Sequence, residues 1–173
     1  MLRRATVDDA PAIARVTSAG FDTYRSFAPE RWEPPDDMIG GLGERLARPT
    51  AWGVVAEEDA AIVGFAAFIP ASDIPDGPPL PGLAHVWAVF VAPQAWGTGV
   101  ARELMAALLD EIGAQGFGEA RLFVAAEQRR ARAFYAREGW REVTEPEYVD
   151  RLGLDVVEMR VVPSRPTGAP ARP

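Results

Sequence analysis

The sequence predicts an α/β (α+β) domain in which one sheet is interrupted by helices. Three observations carry that reading. Residues 52–56 and 61–69 are apolar, strand-like runs joined by the polar Glu57-Glu58-Asp59-Ala60, the pattern of an antiparallel hairpin. Residues 83–91 form a third apolar run, and a helical repeat opens at Val100 after Pro93 and a short glycine-bearing turn. In that repeat Leu104, Leu108 and Ile112 recur every four residues, with Met105 and Leu109 widening the apolar face.

The other elements follow from local signals. Residues 2–5 read as a short first strand. Thr6-Val7-Asp8-Asp9 opens a helix, with Thr6 a capping side chain and Asp8 and Asp9 favourable in its first turn. Ile13, Val16 and Phe21 supply its apolar stripe. Residues 21–35 are irregular and carry Phe21, Tyr24, Phe27 and Trp32, and a second helix is expected over 37–46. Proline recurs at 75, 78, 79 and 81, so residues 71–82 form a stiffened surface loop of the kind that sets specificity. The helix from Val100 ends near Gly113 and Gly116. A strand over 121–125, a helix over 128–138 stopped by Gly139, and strands over 140–144 and 155–162 complete the order. Residues 1–162 are read as one domain and 163–173, with four prolines and no large apolar side chain, as a disordered tail.

Composition narrows the function. A chain of 173 residues, 48% of them hydrophobic, is long enough to bury a core of its own. No apolar run approaches the roughly 18 residues of a membrane span. The arginines near the N-terminus are not followed by an apolar stretch, so the expectation is no signal peptide, no membrane partner and a cytoplasmic location. A formal net charge of −7 argues against nucleic acid as a partner and mildly favours a cationic or amine acceptor. The absence of cysteine removes disulfides, thiolate metal sites and a cysteine acyl intermediate, and no metal is expected.

The most informative stretch is 89–104, where a strand, a glycine turn and a helix follow one another. Closely spaced glycines let successive N–H groups point into one concavity. The helix start adds free donors and a positive dipole end, which together suit a phosphate or pyrophosphate. Gly97-Thr98-Gly99-Val100-Ala101-Arg102 lacks the third glycine of the dinucleotide fingerprint, and a chain without lysine cannot carry a Walker loop.

The segment resembles motif A of the GNAT superfamily of N-acetyltransferases: a strand, then Gln/Arg-x-x-Gly-x-Gly/Ala and a helix. Trp96-Gly97-Thr98-Gly99-Val100-Ala101 fits except at its first position, where tryptophan stands in place of Gln or Arg. A second block of the same superfamily follows in order. Leu122-Phe123-Val124 reads as a strand, Ala131 to Glu138 as a helix with Phe134 and Tyr135, and Gly139-Trp140 as its closure. The resemblance extends from the Arg3-Arg4-Ala5-Thr6 opening to near Val162. It implies a mixed, mostly antiparallel central sheet with helices on both faces, whose fourth and fifth strands splay apart around acyl-CoA.

On that resemblance the cofactor is acetyl-CoA, a co-substrate. The backbone of Trp96, Gly97, Thr98, Gly99, Val100 and Ala101 would hold its pyrophosphate. Val89, Phe90 and Val91 would offer strand-edge groups to its pantetheine arm, and the Val91 N–H would serve the oxyanion. Arg102, Arg129, Arg130 and Arg132 are candidates for its 3′-phosphate and otherwise ordinary solvated arginines. Gln128 stands where many relatives carry asparagine. Tyr135 matches the tyrosine that protonates the departing thiolate, and is otherwise a core aromatic beside Phe134. His85, the only histidine, is a candidate general base for the amine, or a strand histidine satisfied by a neighbour.

The implied reaction is acetyl transfer to a primary amine by direct attack in a ternary complex, with a small amine or amino-acid-like acceptor. That acceptor would enter past residues 21–32 and 71–82, with Tyr148 as a third wall. The alternatives are a protein N-terminal or lysine acetyltransferase and a non-catalytic acyl-CoA sensor. The superfamily also includes homodimers, and no residue pattern here selects that state.

Overall fold

The computed structural model describes residues 1–74 and 78–163. Its eight strands are β1 (Leu2–Arg4), β2 (Trp52–Glu58), β3 (Ala61–Pro70), β4 (Leu83–Val91), β5 (Glu119–Ala125), β6 (Arg141–Glu142), β7 (Glu147–Val149) and β8 (Leu154–Val161). The helices are α1 (Ala10–Asp22), α2 (Asp36–Gly40), α3 (Leu42–Leu46), α4 (Val100–Ala114) and α5 (Arg129–Arg137). All strands join one sheet in the order β1-β2-β3-β4-β5-β8-β6, with β7 also on β8. Only the β4–β5 pair is parallel, as a strand–helix–strand crossover through α4 requires. No described helix is long and apolar enough to cross a membrane.

The sheet separates two cores. On one face Leu104, Met105, Leu108 and Ile112 of α4 are fully buried against Val54, Ala66, Phe68, Ala84 and Val86, and Tyr135 and Trp140 extend this cluster under α5. Each such aliphatic side chain contributes about 1.5–3 kcal/mol by leaving water, which holds α4 to the sheet along its full length. On the other face Ile13 of α1 and Leu42 of α3 pack with Val55, Phe65, Ala67 and Ala88. Gly64 sets the approach of α4, because a Cβ there would lie 2.7 Å from Leu104 and 3.1 Å from Val100.

Two departures from regularity in β4 shape the centre of the molecule. Ala67 pairs Ala88 while Phe68 pairs Val86, so Trp87 is an extra, bulged residue. As a result Trp87 and Ala88, though consecutive, both belong to the α1 side of the sheet. Further, β4 pairs β5 only through Leu83–Glu119, Ala84–Ala120 and His85–Arg121. Beyond His85 the two strands diverge and leave a gap.

Several boundaries differ from the sequence reading. The helix expected to open at Thr6 begins with a 3-10 turn, where the Thr6 N–H donates to Asp9 Oδ2 at 2.8 Å, and becomes α-helical at Ala10. The helix expected over 37–46 is two short helices broken at Gly41, where a Cβ would sit 2.7 Å from the Asp37 carbonyl. The strand expected over 140–144 shrinks to Arg141–Glu142, and β7 lies in a stretch for which no element is expected from the sequence. Its hairpin to β8 turns on Gly153, at a left-handed φ of 63°. The tail reading over 163–173 lies outside the described residues except for Pro163.

Candidate active site

A cavity of about 670 Å³ passes through the sheet where β4 and β5 part. At one end lies the turn before α4. The N–H groups of Gly97, Thr98, Gly99, Val100 and Ala101 donate to no described residue; backbone bonding resumes with Arg102 and Glu103, which both donate to the Gly99 carbonyl. Gly97 and Gly99 reach this curl only through φ values of 82° and 99°, which side-chain-bearing residues rarely adopt, and open space surrounds both. The Thr98 hydroxyl ties the turn down by donating to the Ala95 carbonyl at 2.8 Å. Unpaired donors at the positive end of a 15-residue helix form an anion cradle.

The gap itself has a backbone wall. The Ala92 N–H donates to the Val63 carbonyl at 2.8 Å, in register with the Phe90–Phe65 pair. Strand alternation then spends Phe90 on β3 and turns the N–H and C=O groups of Val89 and Val91 into the gap. Only Val89 and Val91 of the predicted trio therefore offer free edge groups; Phe90 contributes its ring, 5.0 Å from Phe21. The Val91 carbonyl already accepts the indole N–H of Trp96 at 2.8 Å. The Trp96 ring also carries Arg130 of α5, whose guanidinium carbon is 3.8 Å from the ring centroid. Tryptophan at this position thus links the glycine turn to β4 and to α5.

The remaining predicted residues divide. Arg102, Arg130 and Gln128 line the cavity, whereas Arg132 is held by Glu142 at 2.7 and 2.9 Å and by the Ala126 carbonyl. Arg129 is exposed beside Glu127. Tyr135 is buried on α5, lines the cavity, and donates to no described residue. Burial, helped by Tyr24 across the cavity, raises its phenol well above the usual range, so the proton stays on Oη. At the far end Phe21, Tyr24 and Met38 form the wall, with Trp32 stacked on Tyr24 at 5.2 Å. Gly20 allows this wall to close, since a Cβ there would meet the Phe90 ring at 2.6 Å. Tyr148 is exposed on β7 and lines a separate hollow with Phe27 and Pro29; no described residue of 71–82 lines the main cavity. Tyr24 belongs to the aromatic stretch expected at the acceptor entrance, whereas no sequence signal marks Trp87 or Arg121.

His85 lies at the apex where β4 and β5 part, outside the cavity lining. Burial first, then Arg121 and Arg45, push its imidazole down to about 4 from 6.5. The unfolded chain therefore takes up a proton at a pH where the folded chain does not. His85 favours the fold fully above pH 6.5, and that contribution, at most about 3 kcal/mol, is lost as pH falls toward 4. Urea unfolding of wild type and His85→Gln from pH 7 to 4.5 should show the steeper loss in the wild type. Parallel curves would refute this assignment.

Sequence comparison reaches the same region. The model of the acetyltransferase (GNAT) family matches residues 17–140, which span the aromatic wall, the glycine turn and α5. The chain belongs to the GNAT acetyltransferase family. It is thereby an acyltransferase, with the mixed, mostly antiparallel sheet of that family. Curated proteins return no match.

Solved GNAT structures share the fold at low identity. A ribosomal-protein-alanine N-acetyltransferase from Brucella melitensis is 22% identical over 94% of this chain and 99% of its own, with a TM-score of 0.71. A chimaera of Vibrio cholerae spermidine N-acetyltransferase SpeG and hSSAT is 21% identical over 94% of each chain, at 0.66. A PaiA N-acetyltransferase from Thermoplasma acidophilum, in complex with coenzyme A, is 16% identical over 94% and 98%, also at 0.66.

Proposed function

We propose that the chain transfers an acetyl group from acetyl-CoA to a primary amine, by direct attack within a ternary complex. The observation that carries this reading is the continuity of three features: the free N–H groups of Gly97 to Ala101, the edge groups of Val89 and Val91, and Tyr135 on the opposite wall. The residues present suit coenzyme A at each part. The glycine turn fits a pyrophosphate, the open edge of β4 fits a pantetheine amide, and Arg102 and Arg130 stand where outlying phosphate charge needs cations.

When bound, acetyl-CoA supplies an activated acyl thioester whose leaving group is a thiolate. The Val91 N–H faces the gap and is placed to donate to an oxygen gaining negative charge. Tyr135 Oη, kept protonated by burial, gives its proton to the thiolate as the leaving bond breaks. The amine must shed a proton on attack. His85 lies outside the cavity lining, so this proton leaves through cavity water, which returns a proton to Tyr135, and His85 takes a binding part instead. The closed aromatic wall of Phe21, Tyr24 and Trp32 favours a small acceptor over a protein chain.

The test is thiol release from acetyl-CoA against a panel of primary amines and peptides. Amine-dependent release above the hydrolysis background, with the N-acetylated product seen by mass spectrometry, is the expected result. Coenzyme A binding without transfer to any member of the panel would instead support an acyl-CoA sensor.

A further inference from the structure

The face of the sheet beneath α1 to α3 carries an arrangement that the acetyl-transfer chemistry does not use. In cross-strand register, His85 of β4, Arg121 of β5, Arg160 of β8 and Arg141 of β6 stand side by side. Like charges directly opposite one another destabilise a sheet unless something negative joins them. For Arg160 something does: it bonds Glu158 at 2.6 Å and Glu119 at 2.8 Å. Nearby, Arg45 and Arg151 share Asp37, at 2.8 and 2.9 Å. Arg121 has no such partner. Among the described residues none lies within ion-pairing or hydrogen-bonding reach of its guanidinium, and its Nε is buried.

Arg121 is not alone in this. Buried and without a hydrogen-bond partner among the described residues are also Nδ1 of His85 and the indole Nε1 of Trp87. Folded proteins rarely leave buried polar atoms unpaired, and three on neighbouring residues of two paired strands mark a place completed from outside the chain. Phe123 joins two of the three, and Arg45 flanks the third. The His85 ring is 5.8 Å from the Phe123 ring, the Arg121 guanidinium carbon lies 5.2 Å over that same ring, and Arg45 lies 5.4 Å over Trp87.

The chemistry of the donors selects the ligand. Arginine Nε and the indole N–H can only donate, and a neutral imidazole can donate from one nitrogen. A planar guanidinium with a buried Nε–H matches two oxygens on one planar centre. Glu158 acts on this guanidinium only at longer range, so a positive charge without a direct described partner suits a ligand group of single negative charge. Trp87 and Phe123 are walls of the cavity as well as neighbours of this cluster, so a small molecule anchored here extends its other end into the gap between β4 and β5.

We propose that Arg121, with the indole N–H of Trp87 and the imidazole of His85, binds a carboxylate of the acceptor, making the acceptor an amino-acid-like amine. The assignment rests on the acetyltransferase reading for what happens at the amine end, but the carboxylate site stands on its own atoms. It also runs against the net charge of −7, which by itself favours a cationic acceptor. Whole-chain charge steers encounter, whereas a guanidinium with a buried Nε–H decides which group can stay.

Two measurements separate the two readings. The first follows the side-chain N–H signals of Arg121 and Trp87 by NMR while the protein is titrated with N-acetylglycine, with N-acetylglycinamide and with inorganic phosphate. Movement of both signals with the acid and not the amide is expected. No movement, equal movement with the amide, or a stronger response to phosphate overturns the carboxylate assignment whether or not the protein acetylates anything. The second compares kcat/KM for amino acids and their amides. Wild type should prefer the acid by at least about 10-fold, the scale on which a charge-assisted hydrogen bond is felt. In Arg121→Gln that ratio should collapse toward one, mainly through KM, and Arg121→Lys should restore part of it. Amides turned over as well as acids by wild type would refute the carboxylate site while leaving acetyl transfer intact. Binding of N-acetylglycine without turnover of any amine would do the reverse.

Discussion

Replacing Gly99 by aspartate should abolish measurable binding of coenzyme A while leaving the protein folded. Gly99 caps α4 at φ 99° and lines the cavity, next to N–H groups that donate to no described residue. A carboxylate there sets negative charge and bulk against an arriving pyrophosphate and competes for the same donors. Nothing lies within 4 Å of a Cβ at this position, so the fold meets only the conformational strain, about 1–2 kcal/mol. Gly99→Ala carries that strain without the charge and should bind with an intermediate loss. Calorimetric titration with coenzyme A, beside thermal unfolding of each variant, reads both effects. A loss of at least about 100-fold, or roughly 2.7 kcal/mol, is expected for the aspartate. Unchanged binding in a folded Gly99→Asp protein would remove the anion cradle from the proposed mechanism.

Tyr135→Phe should lower kcat by about 100-fold or more, the lower end of what positioned acid catalysis contributes, with KM for acetyl-CoA little changed. The hydroxyl bonds no described residue and the ring alone fills its place beside Phe134 and Trp140, so stability should hold. Because burial raises the phenol far above its ordinary value, wild-type turnover should show no alkaline decline attributable to Tyr135 below about pH 10. Steady-state thiol release across pH, with a denaturation curve for the variant, makes the comparison. A fall in stability as large as the fall in kcat would mean that the tyrosine is only a core residue, and an unchanged kcat would exclude it as the acid.

Trp96 and Arg121 illustrate two ways in which a residue's partners escape a sequence pattern. Trp96 was legible as a departure from Gln or Arg, but its indole bond to Val91 and its contact with Arg130 join segments separated along the chain. Arg121 gave no signal, because eighteen arginines share this sequence and nothing local distinguishes one without a counter-ion. Only the register of β4, β5 and β8 reveals that Arg160 bonds Glu158 and Glu119 whereas Arg121 bonds no described carboxylate. His85 shows a third case. Its type suggests a base, whereas the strand register sets it outside the cavity lining, beside Arg121.

The sequence by itself determined most of the elements and the glycine turn before α4. Alternating apolar strands, the four-residue repeat of α4 and the Gly-x-Gly turn are short-range properties, set by pleat, helix period and the φ freedom of glycine. The tertiary structure decided the surroundings of His85, Trp87 and Arg121. The bulge at Trp87, the early parting of β4 from β5, the break at Gly41 and the partnering of each arginine depend on which segments come to lie side by side. Those choices come from packing and charge balance between residues distant in sequence, which no local pattern encodes.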